Sequence, residues 1–344
     1  MNVEVRHDEE HALLRAEARR WLDERFPIAR VRALADGEAG EDPADWQELA
    51  ALGWLGLVVP EKYGGAGLGA LHLAVLLEET GRRLLPSPLL SSTLAALALV
   101  ESGSEAQRER WLRPLVTGET RIALALRPEA VWGGGLADAF VARVGDRCAV
   151  VAAVDPGLRA EPEVVLDRTR RSVRLTLSGV HPNAEEFLPA PADEVAARLA
   201  PRACLALAAE MAGGADALLA LTSSYAATRE QFDKPIGSFQ AVKHPLVNVL
   251  LGVEALRSLV YAAACALDAQ SPDAEALARM AKAKACDVYG FAASRAVQLH
   301  GGYGFTIDCD AHLYLKRAQT TRPAFGDAMA QRRWLAEKLL GPAP

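Results

Sequence analysis

Past residue 191 the chain runs in long Ala- and Leu-rich blocks, residues 200–228, 240–269, 273–300 and 312–318, joined by short connections. Blocks of this length predict helices of many turns. Short links between them make antiparallel neighbours, and four such helices close most simply into a bundle. A bundle of this kind constrains everything upstream, because the rest of the chain must pack around it.

The first 118 residues are helical too. His11, Leu13, Leu14, Ala18, Trp21, Leu22 and Phe26 recur at three- and four-residue spacing, behind the carboxylates Asp8, Glu9 and Glu10 that suit a helix start. Residues 45–52 repeat the pattern, and 71–84 form a longer apolar-faced helix that Gly81 and two arginines are expected to close. Between them, residues 56–68 are a Pro/Gly-rich turn segment. From 119 to 191 the period changes: residues 122–126, 139–144, 148–154, 164–166 and 173–177 are short β-branched runs separated by Gly, Pro and Asp. In the last of them Val173, Leu175 and Leu177 alternate with Arg174 and Thr176, so one face is buried. The predicted organisation is a helical domain at 1–118, a small β-domain at 119–191 and a four-helix bundle at 192–344.

A chain of 344 residues, 51% hydrophobic and 24% charged, can bury sizeable cores, and its net charge of −6 is made of interleaved signs. No basic face is offered to phosphates, so nucleic acid is not an expected partner. The longest apolar stretches, such as 89–100 and 204–209, are shorter than the roughly 18 residues that cross a bilayer. The acidic first ten residues do not resemble a secretory signal, and a cytoplasmic, membrane-free location is expected. Cys148, Cys204, Cys265, Cys286 and Cys309 are scattered, without Cys-x-x-Cys or metal-ligand spacing, and read as reduced packing thiols. No metal site is predicted.

Two segments carry chemistry. Arg229-Glu-Gln-Phe-Asp-Lys-Pro-Ile-Gly-Ser-Phe-Gln-Ala-Val-Lys-His244 is followed some fifty residues later by Gln298-Leu-His-Gly-Gly-Tyr-Gly-Phe305. Arg229 is a planar, permanently charged donor suited to a pyrophosphate, Phe232 offers a flat ring, and Gln240 can pair with phosphate or a ring edge. Gly301 and Gly302, after the helix that carries Gln298, would let a ligand approach the backbone. Singly, each has a plainer reading as salt-bridge, core or turn residue. The other Gly-rich stretches, 64–69 and 133–135, lack the spacing of nucleotide loops and read as turns.

Together these two segments resemble the flavin-adenine-binding signatures of the acyl-CoA dehydrogenase family. The resemblance extends over nearly the whole chain, through Gly56-Leu-Val-Val-Pro-Glu-Lys-Tyr-Gly-Gly65, Glu78-Glu-Thr-Gly-Arg82, Gly103-Ser-Glu-Ala-Gln107 with Trp111-Leu112, Gly118-Glu119 and Asp167-Arg-Thr-Arg-Arg171. It implies that family's fold, mostly α with a small middle β-domain. It also implies FAD, and a half-site of Arg229, Gln231, Phe232, Gln240, Gln298, Gly301 and Gly302 that holds the adenosine and pyrophosphate of a FAD whose isoalloxazine lies in a neighbouring subunit. Asp233 departs from the glycine usual there, and a carboxylate near a pyrophosphate weakens binding unless it turns away.

The reaction the resemblance implies, α,β-dehydrogenation of an acyl-CoA thioester, needs a carboxylate base beside the α-carbon. An ungapped alignment from Gly301 puts Phe325 where the family's glutamate stands. The alternative location, counted back from Arg229, falls at Ala203 and Cys204. Asp327 is the nearest carboxylate, two residues beyond and one methylene shorter; as a structural residue it would be a helix N-cap before Ala328. The run Leu124-Ala-Leu-Arg-Pro-Glu-Ala-Val-Trp-Gly-Gly-Gly135 replaces the family's flavin-ring loop, with Trp132 a remnant of the ring site or a core residue.

The groups missing serve a subunit's own flavin ring and substrate, and the groups present serve a neighbour's cofactor. The pattern resembles the non-catalytic subunit of heteromeric (α2β2) actinobacterial acyl-CoA dehydrogenases. Its implied partners are a catalytic acyl-CoA dehydrogenase subunit, through it an acyl-CoA, and an electron-transfer flavoprotein as acceptor. Two alternatives stay open: a homomeric enzyme using an unusual base such as Asp327, and an assembly scaffold without flavin.

Overall fold

The computed structural model describes residues 8–37 and 40–341. Among these, eleven α-helices and nine short strands divide into two compact units. One unit comprises residues up to Val31, Ala70–Leu85 and Cys204 to the C-terminus; the other comprises Arg32–Gly69 and Pro86–Ala203.

The first unit is built on helices α1 (Glu9–Arg25), α4 (Ala70–Arg82), α7 (Ala192–Thr228, from Cys204 onward), α8 (Gln240–Asp268), α9 (Ala274–His300), α10 (Ala311–Thr321) and α11 (Ala328–Leu340). The side chain of Asp8 caps α1 by accepting from the His11 amide, with Glu9 and Glu10 in the first turn. Asp268, at the end of α8, accepts from the Ala70 and Leu71 amides at 2.6 and 3.1 Å and so caps α4 from outside its own sequence.

Gly81 does not close α4 as expected. It lies inside the helix, where an added Cβ would sit 2.0 Å from the Glu210 carbonyl oxygen, and on α7 a Cβ on Gly213 would sit 1.8 Å from that of Glu78. The two glycines face each other's helix and bring the two backbones into direct contact, a role for glycine that needs space rather than a left-handed φ. Beside this crossing, the buried carboxylates of Glu78 and Glu79 meet Arg15, Arg19, Arg82 and Arg257 at 2.7–3.1 Å. Burial alone would push the Glu78 carboxyl up, but Arg257 and Arg15 hold it below the usual carboxylate range.

Two helices also correct the expectation drawn from apolar runs. α7 and α8 each contain an 18-residue window apolar and long enough to cross a membrane. Within the protein 72% of the α7 window is buried, which makes it a core helix, against 39% for α8.

The second unit holds α2 (Ile28–Asp36, from Arg32), α3 (Pro43–Ala51), α5 (Leu89–Ser102), α6 (Glu105–Val116) and the strands β1 (Ile122–Ala125), β2 (Val131–Trp132), β3 (Ala139–Val144), β4 (Arg147–Ala152), β5 (Arg159–Pro162), β6 (Ser172–Thr176) and β7 (Phe187–Pro191). A Ser104–Gln107 capping box starts α6. One sheet runs β1-β3-β4-β7, parallel at β1–β3 (Ile122 opposite Ala139) and antiparallel elsewhere; the other runs β2-β6-β5. Between them lies a core of Ala123, Val131, Phe140, Val151, Val173 and Leu175.

Val173 and Leu175 are buried while Arg174 and Thr176 are exposed, as the alternation requires. The strand expected at 164–166 does not form. β5 ends at Pro162 opposite Val173, and Val164 and Leu166 stand exposed beyond it, apolar residues without a partner strand.

Candidate functional site

The last turn of α7 continues to Arg229, whose amide donates to the Tyr225 carbonyl at 2.8 Å. The chain then reverses through a hairpin of β8 (Glu230–Gln231) and β9 (Lys234–Pro235), with Gln231 opposite Lys234. The two residues at its tip, Phe232 and Asp233, have φ of 57° and 61°, the geometry of a type I′ turn. Asp233 therefore stands at a left-handed position, which is the conformational reason a glycine suits it. The Ile236 amide closes the hairpin onto the Arg229 carbonyl at 2.8 Å, and a 3-10 turn leads into α8 at Gln240.

Opposite, α9 ends at Gly301, which adopts φ 62° and ψ −141°, backbone that only glycine enters readily, and donates its amide to Gln298. A Cβ on Gly301 or Gly302 would meet no protein atom within 4 Å. These glycines are not packed against protein; they keep a space clear. That space is an open cleft of about 670 Å3 lined by Arg229, Gln231, Gly301 and Gly302, with Tyr225, Ile236, Leu299, His300 and Tyr303. Among the described residues no carboxylate pairs with the exposed Arg229 guanidinium.

Four of the seven expected half-site residues thus share one cleft. Gln298 lies exposed on the final turn of α9. Phe232, 85% exposed, and Gln240, at the start of α8, do not line the cleft. Sequence reasoning missed the aromatic floor. The buried His300 ring stacks on Tyr225 at 4.3 Å, and Tyr303 stacks on the same tyrosine at 6.0 Å. His300 Nδ1 lies 2.7 Å from the Ala296 carbonyl oxygen and so carries a proton there. A histidine and a tyrosine flanking Gly301 and Gly302 were the available signal.

The cleft fits the pyrophosphate end of a dinucleotide. It pairs a free guanidinium with open glycine backbone, and its apolar and aromatic wall can take a purine.

The positions expected to hold a base hold none. Ala203 and Cys204 are completely buried in α7, and burial pushes the Cys204 thiol up to about 11. Phe325 sits between α10 and α11 at φ 53°. Its turn is fastened from two sides: buried Lys282 donates to the carbonyls of Arg322 (2.9 Å) and Gly326 (3.2 Å), and Gln331 to that of Phe325 (2.6 Å). Asp327 caps α11 by accepting from Ala330 at 2.9 Å, a bond that holds its carboxyl below the usual range.

In the other unit, the 124–135 run is tied to the segment leading into β6: Gly133 donates to the Arg171 carbonyl at 2.9 Å, and Arg170 lies over the Trp132 ring at 4.5 Å.

This fold and cleft belong with known proteins. Residues 8–119 match the family model "Acyl-CoA dehydrogenase, N-terminal domain" and residues 195–340 the model "Acyl-CoA dehydrogenase, C-terminal domain". The chain is a member of the acyl-CoA dehydrogenase family, with that family's fold. It is 37% identical to "Acyl-CoA dehydrogenase IpdE2" of Mycobacterium tuberculosis, over 90% of this chain and 91% of that one. Among solved structures it is similar to the ChsE4-ChsE5 complex from Mycobacterium tuberculosis (28% identity, TM-score 0.91, 99% of this chain and 100% of that one). It is also similar to the Tcur3481-Tcur3483 steroid ACAD G363A variant (31% identity, TM-score 0.88, 96% and 98%). The first of these structures is of a complex of two named components.

Proposed function

We propose that this chain is the non-catalytic subunit of a heteromeric acyl-CoA dehydrogenase, and that its cleft completes the FAD site of a catalytic partner subunit. The observation that carries this reading is an asymmetry. Arg229, Gln231, Gly301 and Gly302 meet in an open cleft, while the base positions hold Phe325 and Ala203.

In the bound complex FAD supplies the hydride acceptor. The work of this chain is to bind and orient: Arg229 neutralises the pyrophosphate, the Gly301–Gly302 backbone approaches it closely, and the ring stack below keeps that backbone rigid. Gln231 lines the same cleft, and Gln298, Gln240 and Phe232, outside its lining, are assigned to the half-site by the signatures they belong to. The partner provides the carboxylate that takes the α-proton of an acyl-CoA and the surface that holds the flavin ring, and an electron-transfer flavoprotein takes the electrons onward. The steroid ACAD among its structural relatives supports a steroid-type acyl group.

The test is flavin retention by the complex of this chain with its co-expressed partner. Arg229→Ala removes a charge-assisted contact and is expected to weaken FAD retention by about ten- to a hundredfold. Unchanged flavin content would instead favour an assembly scaffold.

A further inference from the structure

We infer that the isolated chain binds free adenosine diphosphate in this cleft, and that free adenine nucleotide therefore competes with FAD during assembly of the enzyme. The inference rests on the proposed half-site and adds a ligand and a means of regulation to it.

Three observations carry it. Every residue lining the cleft lies in one compact unit, so neither the other unit nor a second chain is needed to form it. The walls are fixed by contacts internal to that unit: the Ile236–Arg229 backbone bond at 2.8 Å, the His300–Ala296 bond at 2.7 Å and the stack of His300 and Tyr303 on Tyr225. A site already shaped does not spend binding energy on ordering itself. Finally, the cleft has chemistry for one end of FAD only. The unpaired guanidinium of Arg229 faces the open Gly301–Gly302 backbone for a diphosphate, and Ile236, Leu299 and Tyr303 give an apolar wall for a purine. Its volume, about 670 Å3, falls within the roughly 300–1,000 Å3 range of small-molecule clefts. Nothing in that lining distinguishes the adenosine diphosphate half of FAD from adenosine diphosphate itself.

The experiment titrates the full-length chain, purified without a partner, with ADP, FMN and FAD by calorimetry. ADP is expected to bind saturably at one site, FAD to displace it, and FMN, which has a flavin ring and one phosphate but no adenosine, to show no saturable binding. Arg229→Ala should weaken ADP by at least about tenfold, with Arg229→Lys recovering part of the loss because it restores the charge without the planar fork. Both substitutions are at an exposed position, and an unchanged circular dichroism melt verifies folding.

The inference is overturned if ADP shows no saturable binding at millimolar concentration, if FMN binds as well as ADP, or if Arg229→Ala leaves ADP affinity unchanged. A complex that keeps its FAD through Arg229 while the isolated chain ignores ADP would sink this inference and leave the proposed function standing.

Discussion

Phe232 and Asp233 stand at the tip of the β8–β9 hairpin with φ of 57° and 61°, where side chains are strained. From sequence, Asp233 is only a carboxylate in a place where the family has glycine, an electrostatic liability. The structure adds a conformational cost of about 1 kcal/mol for a non-glycine left-handed residue, moderated because aspartate tolerates that region better than most. Asp233→Gly removes both effects. It is expected to tighten FAD retention by the complex up to about fivefold, the equivalent of 1 kcal/mol, measured as flavin release on dilution. Looser retention would mean that the Asp233 carboxylate makes a contact the cofactor site needs. Arg229, Gly301 and Gly302 drew attention in sequence through the family signatures they stand in, since singly each reads as a salt-bridge or turn residue. The floor of Tyr225, His300 and Tyr303 was not legible: His300 and Tyr303 beside the glycines hinted at rings there, but the stack is completed by Tyr225, 75 positions before His300.

At the scale of elements, the long C-terminal helices could be read directly, because 3.6-residue periodicity over many turns survives any detail of packing. The α4–α7 crossing could not. Gly81 follows an apolar helix and precedes Arg82, which is how a helix end looks, and only the approach of Glu210 on a helix more than a hundred residues away gives it another purpose. The strands show the converse failure. Residues 164–166 have β propensity but no partner, whereas β5 and β7, with two prolines at 189 and 191 in the latter, form because β6 and β4 offer open edges.

The segment before α3 carries a titratable consequence of its packing. Glu41 is buried, and desolvation pushes its carboxyl up to about 7, although Arg121 lies 3.2 Å away and pulls the other way. Its folded value lies above its unfolded value of 4.5, so the folded state binds the extra proton between the two. Stability is then lost as pH rises from about 4.5 to about 7 and stays lower above that. In Glu41→Gln this contribution disappears, so the stability difference between variant and parent should grow in the variant's favour across that window, as read by chemical denaturation at several pH values. A difference independent of pH would show that Glu41 is ionised throughout.

For the whole molecule, family membership fixes the architecture, and the distribution of residues within it is the basis of the proposed role. A bound dinucleotide needs both a pyrophosphate cleft and a ring site, and dehydrogenation needs a base as well. This chain has an open cleft suited to the first, holds Phe325, Ala203 and Cys204 at the positions counted for a base, and uses Asp327 as a helix cap. Such a division makes sense for a polypeptide that works alongside another.

The most direct measurement is the flavin-to-protein ratio, with acyl-CoA dehydrogenation, of the chain purified alone and of the complex formed with its co-expressed partner. The account predicts that the chain alone, whose half-site holds only one end of FAD, keeps little or no flavin through purification and shows no turnover, and that each pair of unlike subunits holds one FAD with turnover. One FAD per copy of this chain, with dehydrogenation in the partner's absence, would contradict it.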